Sequence, residues 1–386
     1  AVEPQVADYW PQAAQLRTGG ALVLSRFAYL RRRGNDLVLE SPRAAALLRI
    51  CDPSIVGVLA ELSTPRTIGQ LRRLKDFPGV LLLGVLLDCR FAFEVNAKSD
   101  ENLRSAEGDE DLVLWDFHDL LFHSRSTEGR HANPLGGTYP HAGTIAPLPA
   151  VRPRWPGKSI DLREFLTPGS GMKSPVAEIL RQRHSVRNFD DRRPITLAEL
   201  SRFLDGAARI LSKPKHAANA ADAGGEADYA LRPYPSAGAS YELELYLAVN
   251  ACEGLRRGFY HYDADGHALA AVDVAANTLD ASLVACASAM GVETPPQILI
   301  TIAARFGRIS WKYSSLAYSL VLKDVGVLLQ TFYLMATDLD LGGCAVGIAN
   351  IDLFAKMTGI EFHIEGPVGQ FALGRGTQTA ATSSSA

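Results

Sequence analysis

The chain has 386 residues, more than a single core of roughly 100 to 200 residues usually accommodates, so two domains are expected. Apolar residues make up 47% and charged residues 21% of it, a balance that excludes disorder of the whole chain. The formal net charge of -3 supplies no global field that would recruit nucleic acid or a membrane, which leaves a small molecule or a peptide as the expected partner.

Five cysteines, Cys51, Cys89, Cys252, Cys286 and Cys344, are odd in number and scattered, with no CxxC pair for zinc or redox work. A reducing compartment is expected. The apolar stretch 80–87 is far shorter than the ~20 residues of a bilayer span, and the apolar run after Ser314 is interrupted by Lys323, Asp324 and Gln330. The start Ala1-Val2-Glu3-Pro4 has no basic segment followed by a hydrophobic one, as a secretory signal would. The cytoplasm is the expected location.

In chain order, 25–41 reads as two strands around the turn Gly34-Asn35, residues that tolerate the positive φ of tight hairpins. Ser41-Pro42 reads as the start of a helix, a capping residue before a proline at the first helical position. Short apolar faces at helical spacing follow at 54–62 and 67–74, and 80–87 with 89–95 completes a compact unit of strands and short helices. Its basic residues Arg31, Arg32, Arg33, Arg72, Arg73 and Lys75 read first as a solvated face, with peptide or DNA phosphate binding as the alternatives.

Residues 98–108 are polar and charged, and 132–157 is rich in proline and glycine, which brackets a connecting region. Within it, 115–123 carries too many aromatic rings to be a free linker and should pack on the second domain. His118, His123, His131 and His141 match no common metal-ligand spacing, so no metal is expected.

The second domain begins at Ser174, a cap for a helix through Val176, Ile179 and Leu180. A capping box at Thr196 and Glu199 opens the next helix, with Leu200, Phe203, Leu204 and Ala207 on one face. The stretch 213–228 reads as a loop. Residues 241–249 read as a half-buried strand that turns Glu242 and Glu244 outward, 258–272 as a hairpin, and 298–302 as another strand. A long apolar helix fits 314–341, ended by Gly342-Gly343 and lying at the centre of the domain or of a dimer interface. The tail, 377–386, reads as disordered.

Arg183, Ser185 and Arg187 stand two apart just after a helix, so an extended backbone points all three the same way. Two guanidiniums and a hydroxyl suit a phosphate, and Arg375, between Gly374 and Gly376, offers a third cation. The ordered series RHSVRNF, PSAGASY (235–241), WKYSS (311–315), GGCAVGI (342–348) and ALGRG (372–376) resembles the nitroreductase superfamily. More narrowly it is similar to the SagB-type dehydrogenases, which include azoline oxidases of modified-peptide pathways and oxidase domains of nonribosomal peptide synthetases. The resemblance runs from about residue 110 to the end; the amino-terminal unit resembles, more loosely, the winged-helix-like appendage of many members.

The resemblance implies an α+β fold: a nitroreductase-like, antiparallel-dominated sheet flanked by helices and completed in a homodimer, after a winged-helix-like amino-terminal domain. The implied divisions are 1–97, a connecting region at 98–173, the FMN domain at 174–376 and the tail. It implies that Arg183 and Ser185 hold the FMN phosphate with Gly374 and Arg375, and that Arg187 lies near the flavin pyrimidine edge. His184 either bonds the cofactor or packs. Pro235, Ser236, Ala237 and Gly238 would reach the flavin of the other subunit, and Ala345, Val346 and Gly347 would lie along the opposite side of the ring. Cys344 is read as inert packing.

Lys312-Tyr313 carries the implied chemistry. Removing hydrogen from a saturated ring needs a base as well as a hydride acceptor, and a tyrosine with a lysine ammonium to hold its phenolate supplies one. The expected activity is oxidation of a thiazoline or oxazoline in a peptide or carrier-bound substrate to the azole, with dioxygen reoxidising the flavin and a cyclising enzyme as a potential partner. The alternatives are an FMN-dependent nitro- or quinone reductase with a nicotinamide donor, and a non-catalytic peptide-binding member.

Overall fold

The computed structural model of the chain describes residues 1–6, 9–17, 19–95, 107–166, 174–214 and 229–377. Most of the expected loops at 98–108 and 213–228, and the tail beyond Thr377, lie outside the described residues.

The amino-terminal module opens with β1 (Val2–Pro4), β2 (Ala21–Leu24), β3 (Tyr29–Arg33), β4 (Asp36–Glu40) and β5 (Ala46–Ile50). Arg33 pairs with Asp36 across the Gly34-Asn35 turn, where Gly34 has a φ of 61°. There is no helix at Ser41-Pro42. Leu47 and Leu48 are apolar enough to be drawn between β4 and β1 as a strand of the same sheet, and strand pairing satisfies their backbone. α1 (Ser54–Glu61), β6 (Arg66–Thr67), α2 (Ile68–Leu71), α3 (Val80–Asp88) and β7 (Ala92–Val95) follow. α2 is a single turn rather than a helix reaching residue 74, held by a Thr67–Gln70 capping box. The sheets run β1-β5-β4-β3 and β6-β2-β7, and Leu22, Leu39, Leu59, Leu83, Leu86 and Phe91 fill the space between them and the helices. On the basic face, Arg31 pairs with Glu40 and Arg33 with Glu3.

α4 (Phe117–Ser126) joins the two halves. Trp115 Nε1 donates to the His363 carbonyl at 2.8 Å, and its ring lies 4.5 Å from that of Phe306. Burial pushes His123 down to about 3, so it sits neutral beside the Tyr318 hydroxyl, 3.2 Å away. From the other side of α4, Arg125 donates to Glu40 at 2.8 Å and to Tyr29 at 2.9 Å. The aromatic segment therefore packs on the carboxy-terminal body, as its composition demands.

That body contains α5 (Pro175–Gln182), α6 (Leu197–Ala208), β8 (Leu243–Val249), β9 (Gly258–Asp263), β10 (Ala268–Val272), α7 (Ala276–Met290), β11 (Ile298–Arg305), α8 (Phe306–Ser310), α9 (Ala317–Asp338), β12 (Gly342–Val346), α10 (Ile351–Thr358) and β13 (Glu365–Gly374). One antiparallel sheet runs β10-β9-β8-β11-β13-β12. Its central strand shows the period of two: Ile298, Ile300 and Ile302 enter the core shared with α6 and α9, whereas Leu299 and Ala303 enter the core shared with α7 and α10. This is the expected α+β class, a helix-flanked antiparallel sheet with an appended amino-terminal sheet module. Glu242, the residue just before β8, is buried beside Ser236 rather than turned to solvent.

Among the described residues, α9 is the one helix long and apolar enough to cross a membrane. It is instead the spine of the larger core, burying Tyr318, Val321, Val325, Leu328, Phe332 and Ala336 against the sheet and α6. It ends at Asp338, and Gly342-Gly343 begins β12 rather than capping the helix. Both glycines are required there by packing, because a Cβ on Gly342 would meet Val186 at 2.7 Å and one on Gly343 would meet the Phe371 ring.

Candidate active site

Two clusters of the expected residues form, at separate points along α9. The first gathers around Tyr333. Arg183 leaves the end of α5, and the following segment is stitched to the sheet by Val186 N–H to Gly343 O at 2.9 Å and Asp190 N–H to Arg375 O at 2.8 Å. The Arg183 guanidinium stacks 4.8 Å from the Tyr333 ring centroid. The Tyr333 hydroxyl lies 2.7 Å from Ser185 Oγ and accepts the Ala345 N–H at 2.9 Å. Tyr333 can then donate to Ser185, which leaves the serine hydrogen for an anion. Neither Arg183 nor the exposed Arg187 has an ion-pair partner among the described residues. Among these residues, no carboxylate compensates their charge.

Arg375 has a carboxylate partner. Its Nη2 donates to both carboxylate oxygens of Glu199 at 2.6 and 2.7 Å. Burial works against ionisation of Glu199, but hydrogen bonds from Arg375 and from the Thr196 cap hold it down at about 2. The third cation of the expected phosphate set is thus already neutralised by the carboxylate that caps α6. Gly374 serves packing, since a Cβ there would meet Gln297 and Phe189 at 2.8 Å. His184 is exposed, with its ring 3.0 Å from the Gln182 carbonyl. In 345–347, Ala345 is half-buried and Val346 points into the core beside Cys344, while Gly347 is exposed with open space where a Cβ would stand.

The second cluster joins the 235–239 turn to Lys312 and Tyr313. The turn is left-handed at Gly238 (φ 57°) and Ala239 (φ 54°), the kind of costly backbone that persists only where neighbours over-determine it. Ser236 Oγ and Ala237 N–H both reach Asp324 Oδ2 on α9 at 2.8 Å. Lys312 and Tyr313 sit in the tight connection from α8 to α9, their amides bonded to Ile309 O. Lys312 Nζ donates to Gly238 O at 3.0 Å and lies 5.5 Å from the Tyr313 ring centroid. A Cβ on Gly238 would stand 2.5 Å from that ammonium and closer still to the Tyr313 hydroxyl. A cation and a phenol therefore close on one glycine, where a side chain would have no room.

Asp324 and Tyr333 are nine residues apart on α9, so the clusters are separated by ~13 Å at 1.5 Å per residue. Both residues escaped the sequence reading. Asp324 had a signal, an acid in the middle of a mostly apolar helix, whereas Tyr333 looked like one more aromatic core position. Among the described residues, no group of three His, Cys, Asp or Glu side chains converges to hold a metal.

Residues 180–375 match the nitroreductase family model, and residues 22–132 match that of the cyanobactin oxidase ThcOx. A Methanocaldococcus jannaschii protein provisionally designated a nitroreductase is 31% identical over 177 residues, which span 45% of this chain and 78% of that one. The chain is also similar to a solved structure from Ralstonia eutropha JMP134, provisionally a nitroreductase, at 22% identity with a TM-score of 0.40, covering 55% of this chain and 89% of that one. Another similar structure is the Escherichia coli microcin synthetase McbBCD complex with truncated pro-MccB17 bound, at 19% identity with a TM-score of 0.48, covering 72% and 100%. The two family matches, on a helix-flanked antiparallel sheet, define an oxidoreductase. The chain belongs to the nitroreductase family, and its pairing of that domain with an oxidase-type amino-terminal part is the SagB-type arrangement.

Proposed function

We propose that the protein is an FMN-dependent dehydrogenase that oxidises a thiazoline or oxazoline ring in a peptide-derived substrate to the azole. The observation that carries this reading is the convergence of Lys312 and Tyr313 on Gly238. Tyr313 takes the ring proton, and Lys312, anchored on the Gly238 carbonyl, holds positive charge beside it. A nitro- or quinone reductase needs no such base. The cyanobactin-oxidase match of residues 22–132 favours a peptide substrate, with a cyclising enzyme as the partner that delivers it.

The fit of a flavin mononucleotide rests on Arg183 and Arg187, which have no ion-pair partner among the described residues, on the Ser185 hydroxyl and on the open face over Gly347. When bound, FMN would supply the two-electron acceptor, with dioxygen as its reoxidant. The site is read as shared between two subunits. α5 buries no residue of its own, and its Val176 and Leu180 remain 59% and 47% exposed, an apolar face that a second copy would cover alongside α9.

The test is mass spectrometry of azoline peptides incubated with the purified yellow protein, where a loss of two hydrogens is expected. Tyr313→Phe should keep the fold and bound flavin while azole formation falls ~10²- to 10⁴-fold, the scale of a lost general base. Equal azole formation by wild type and Tyr313→Phe refutes the reading.

A further inference from the structure

Behind the 235–239 turn lies a polar cluster that the proposed reaction does not use. Glu242 is fully buried, and its Oε1 has no hydrogen-bond partner. Its Oε2 lies 3.3 Å from Ser236 Oγ. The same Oγ stands 2.8 Å from Asp324 Oδ2 and accepts the Tyr241 N–H at 2.9 Å. A serine hydroxyl has one hydrogen. Donated to Asp324, the nearer oxygen, it leaves the contact with Glu242 to be made by a hydrogen that Glu242 itself carries. Two ionised carboxylates facing one buried hydroxyl would also repel each other where water does not screen them.

We propose that Glu242 and Asp324 hold one proton between them, carried by Glu242, and that this pair positions the 236–238 turn and, through it, Lys312 and Tyr313. The catalytic consequence rests on the dehydrogenase reading; the shared proton does not. With Glu242 protonated, Ser236 Oγ is saturated, donating to Asp324 and accepting from Tyr241 and Glu242. The left-handed turn is then held from Glu242, just before β8, on one side and from α9 on the other, with Gly238 O directed at Lys312 Nζ. Losing the proton sets two charges against one hydroxyl and releases the turn.

Burial, with the charge of Asp324 adding to it, pushes Glu242 up to about 7. The other charged and titratable groups around it do not replace that proton. Glu244 on β8 is answered by Arg305 at 3.6 Å and His261 at 3.4 Å. Arg308 donates to the Ser240 carbonyl and Arg232 to the Leu243 carbonyl. Tyr234 is buried with its hydroxyl unpartnered, and Tyr241 packs edge-on against its ring.

Infrared difference spectra of the purified full chain between pH 6 and pH 9 test the shared proton. The expected result is a protonated carboxyl band in wild type at pH 6 that disappears at pH 9 and is missing from Glu242→Gln. No such band in wild type, or its persistence in Glu242→Gln, overturns the proposal. The positioning role is read from the pH profile of azole formation. In wild type the rate should fall roughly tenfold per pH unit above about 7, as expected when one essential proton is lost. In Glu242→Gln, whose amide stays neutral and still donates to Ser236, that alkaline fall should vanish. An unchanged alkaline fall in the variant overturns the positioning role. If neither protein oxidises an azoline, only the dehydrogenase reading falls, and the infrared band still decides the shared proton.

Discussion

Replacing Gly238 by alanine separates folding from chemistry at the candidate site. The residue has a φ of 57°, a region that costs a side chain with a Cβ roughly 1–2 kcal/mol. The methyl group would also start 2.5 Å from Lys312 Nζ, against 3.4 Å for ordinary contact, so the ammonium has to retreat by about 1 Å, and the Tyr313 hydroxyl by more. Both obstacles are the far ends of long side chains, so they can move without breaking the core. The loss of stability should therefore stay near the backbone cost, small beside a typical ~5–15 kcal/mol of folding free energy. Catalysis has less tolerance, because a misplacement of ~1 Å can cost on the order of 10²-fold in rate, or about 2.7 kcal/mol at 1.36 per decade. Circular dichroism and thermal melting would establish that Gly238→Ala folds, and single-turnover azole formation, followed by mass spectrometry, would measure the chemistry. A folded Gly238→Ala protein that works at the wild-type rate would show that the approach of Lys312 and Tyr313 to this glycine has no part in the reaction.

Other outcomes follow from the same geometry. Arg183→Ala should weaken FMN retention by ~1.5–3 kcal/mol, the scale of a hydrogen bond to a charged group, and leave the melting temperature of the flavin-free protein unchanged; equilibrium dialysis and melting curves check both. Arg375→Ala should lower that melting temperature, because it strips the Glu199 cap of α6 of its cation, and an unaltered melt would count against the structural role. Tyr333→Phe removes the hydroxyl that ties Ser185 to Ala345, about 1 kcal/mol per neutral bond, and should loosen FMN in proportion; wild-type affinity would show that the tie is dispensable. Val176→Glu with Leu180→Glu should convert a dimer to a monomer in light scattering. A mass that does not change would remove α5 from the interface.

The helix-and-sheet order of the carboxy-terminal body was legible because its strands are short, apolar and separated by turn chemistry, as at the hairpin whose Asp263 side chain accepts the amides of Asp265 and Gly266. Ser41-Pro42 misled because local capping preference lost to the burial of Leu47 and Leu48 by strand pairing, a tertiary gain that no local pattern contains. The candidate site was legible at the level of segments. RHSVRNF and GGCAVGI do meet, and PSAGASY does meet WKYSS. What the segments could not show was which atoms meet. Whether Arg375 faces a phosphate or Glu199 depends on a pairing 176 residues apart, and Glu242 alternates with apolar neighbours like a solvent-facing strand residue although β8 starts one residue after it and its carboxylate meets the Ser236 that α9 holds through Asp324.

α4 makes the amino-terminal module difficult to detach. Its Arg125 is bonded to Tyr29 and Glu40, and the Trp115 ring just before it lies against Phe306. Shortly after it, Arg130 grips Asp352 at 3.0 Å and the Arg43 carbonyl at 2.7 Å. A cut at residue 97 would part Arg125 from Tyr29 and Glu40, and Arg130 from the Arg43 carbonyl. Anyone building chimeras should therefore carry α4 and Arg130 with both of its surfaces matched, treating it as the mortised joint between two halves and not as string.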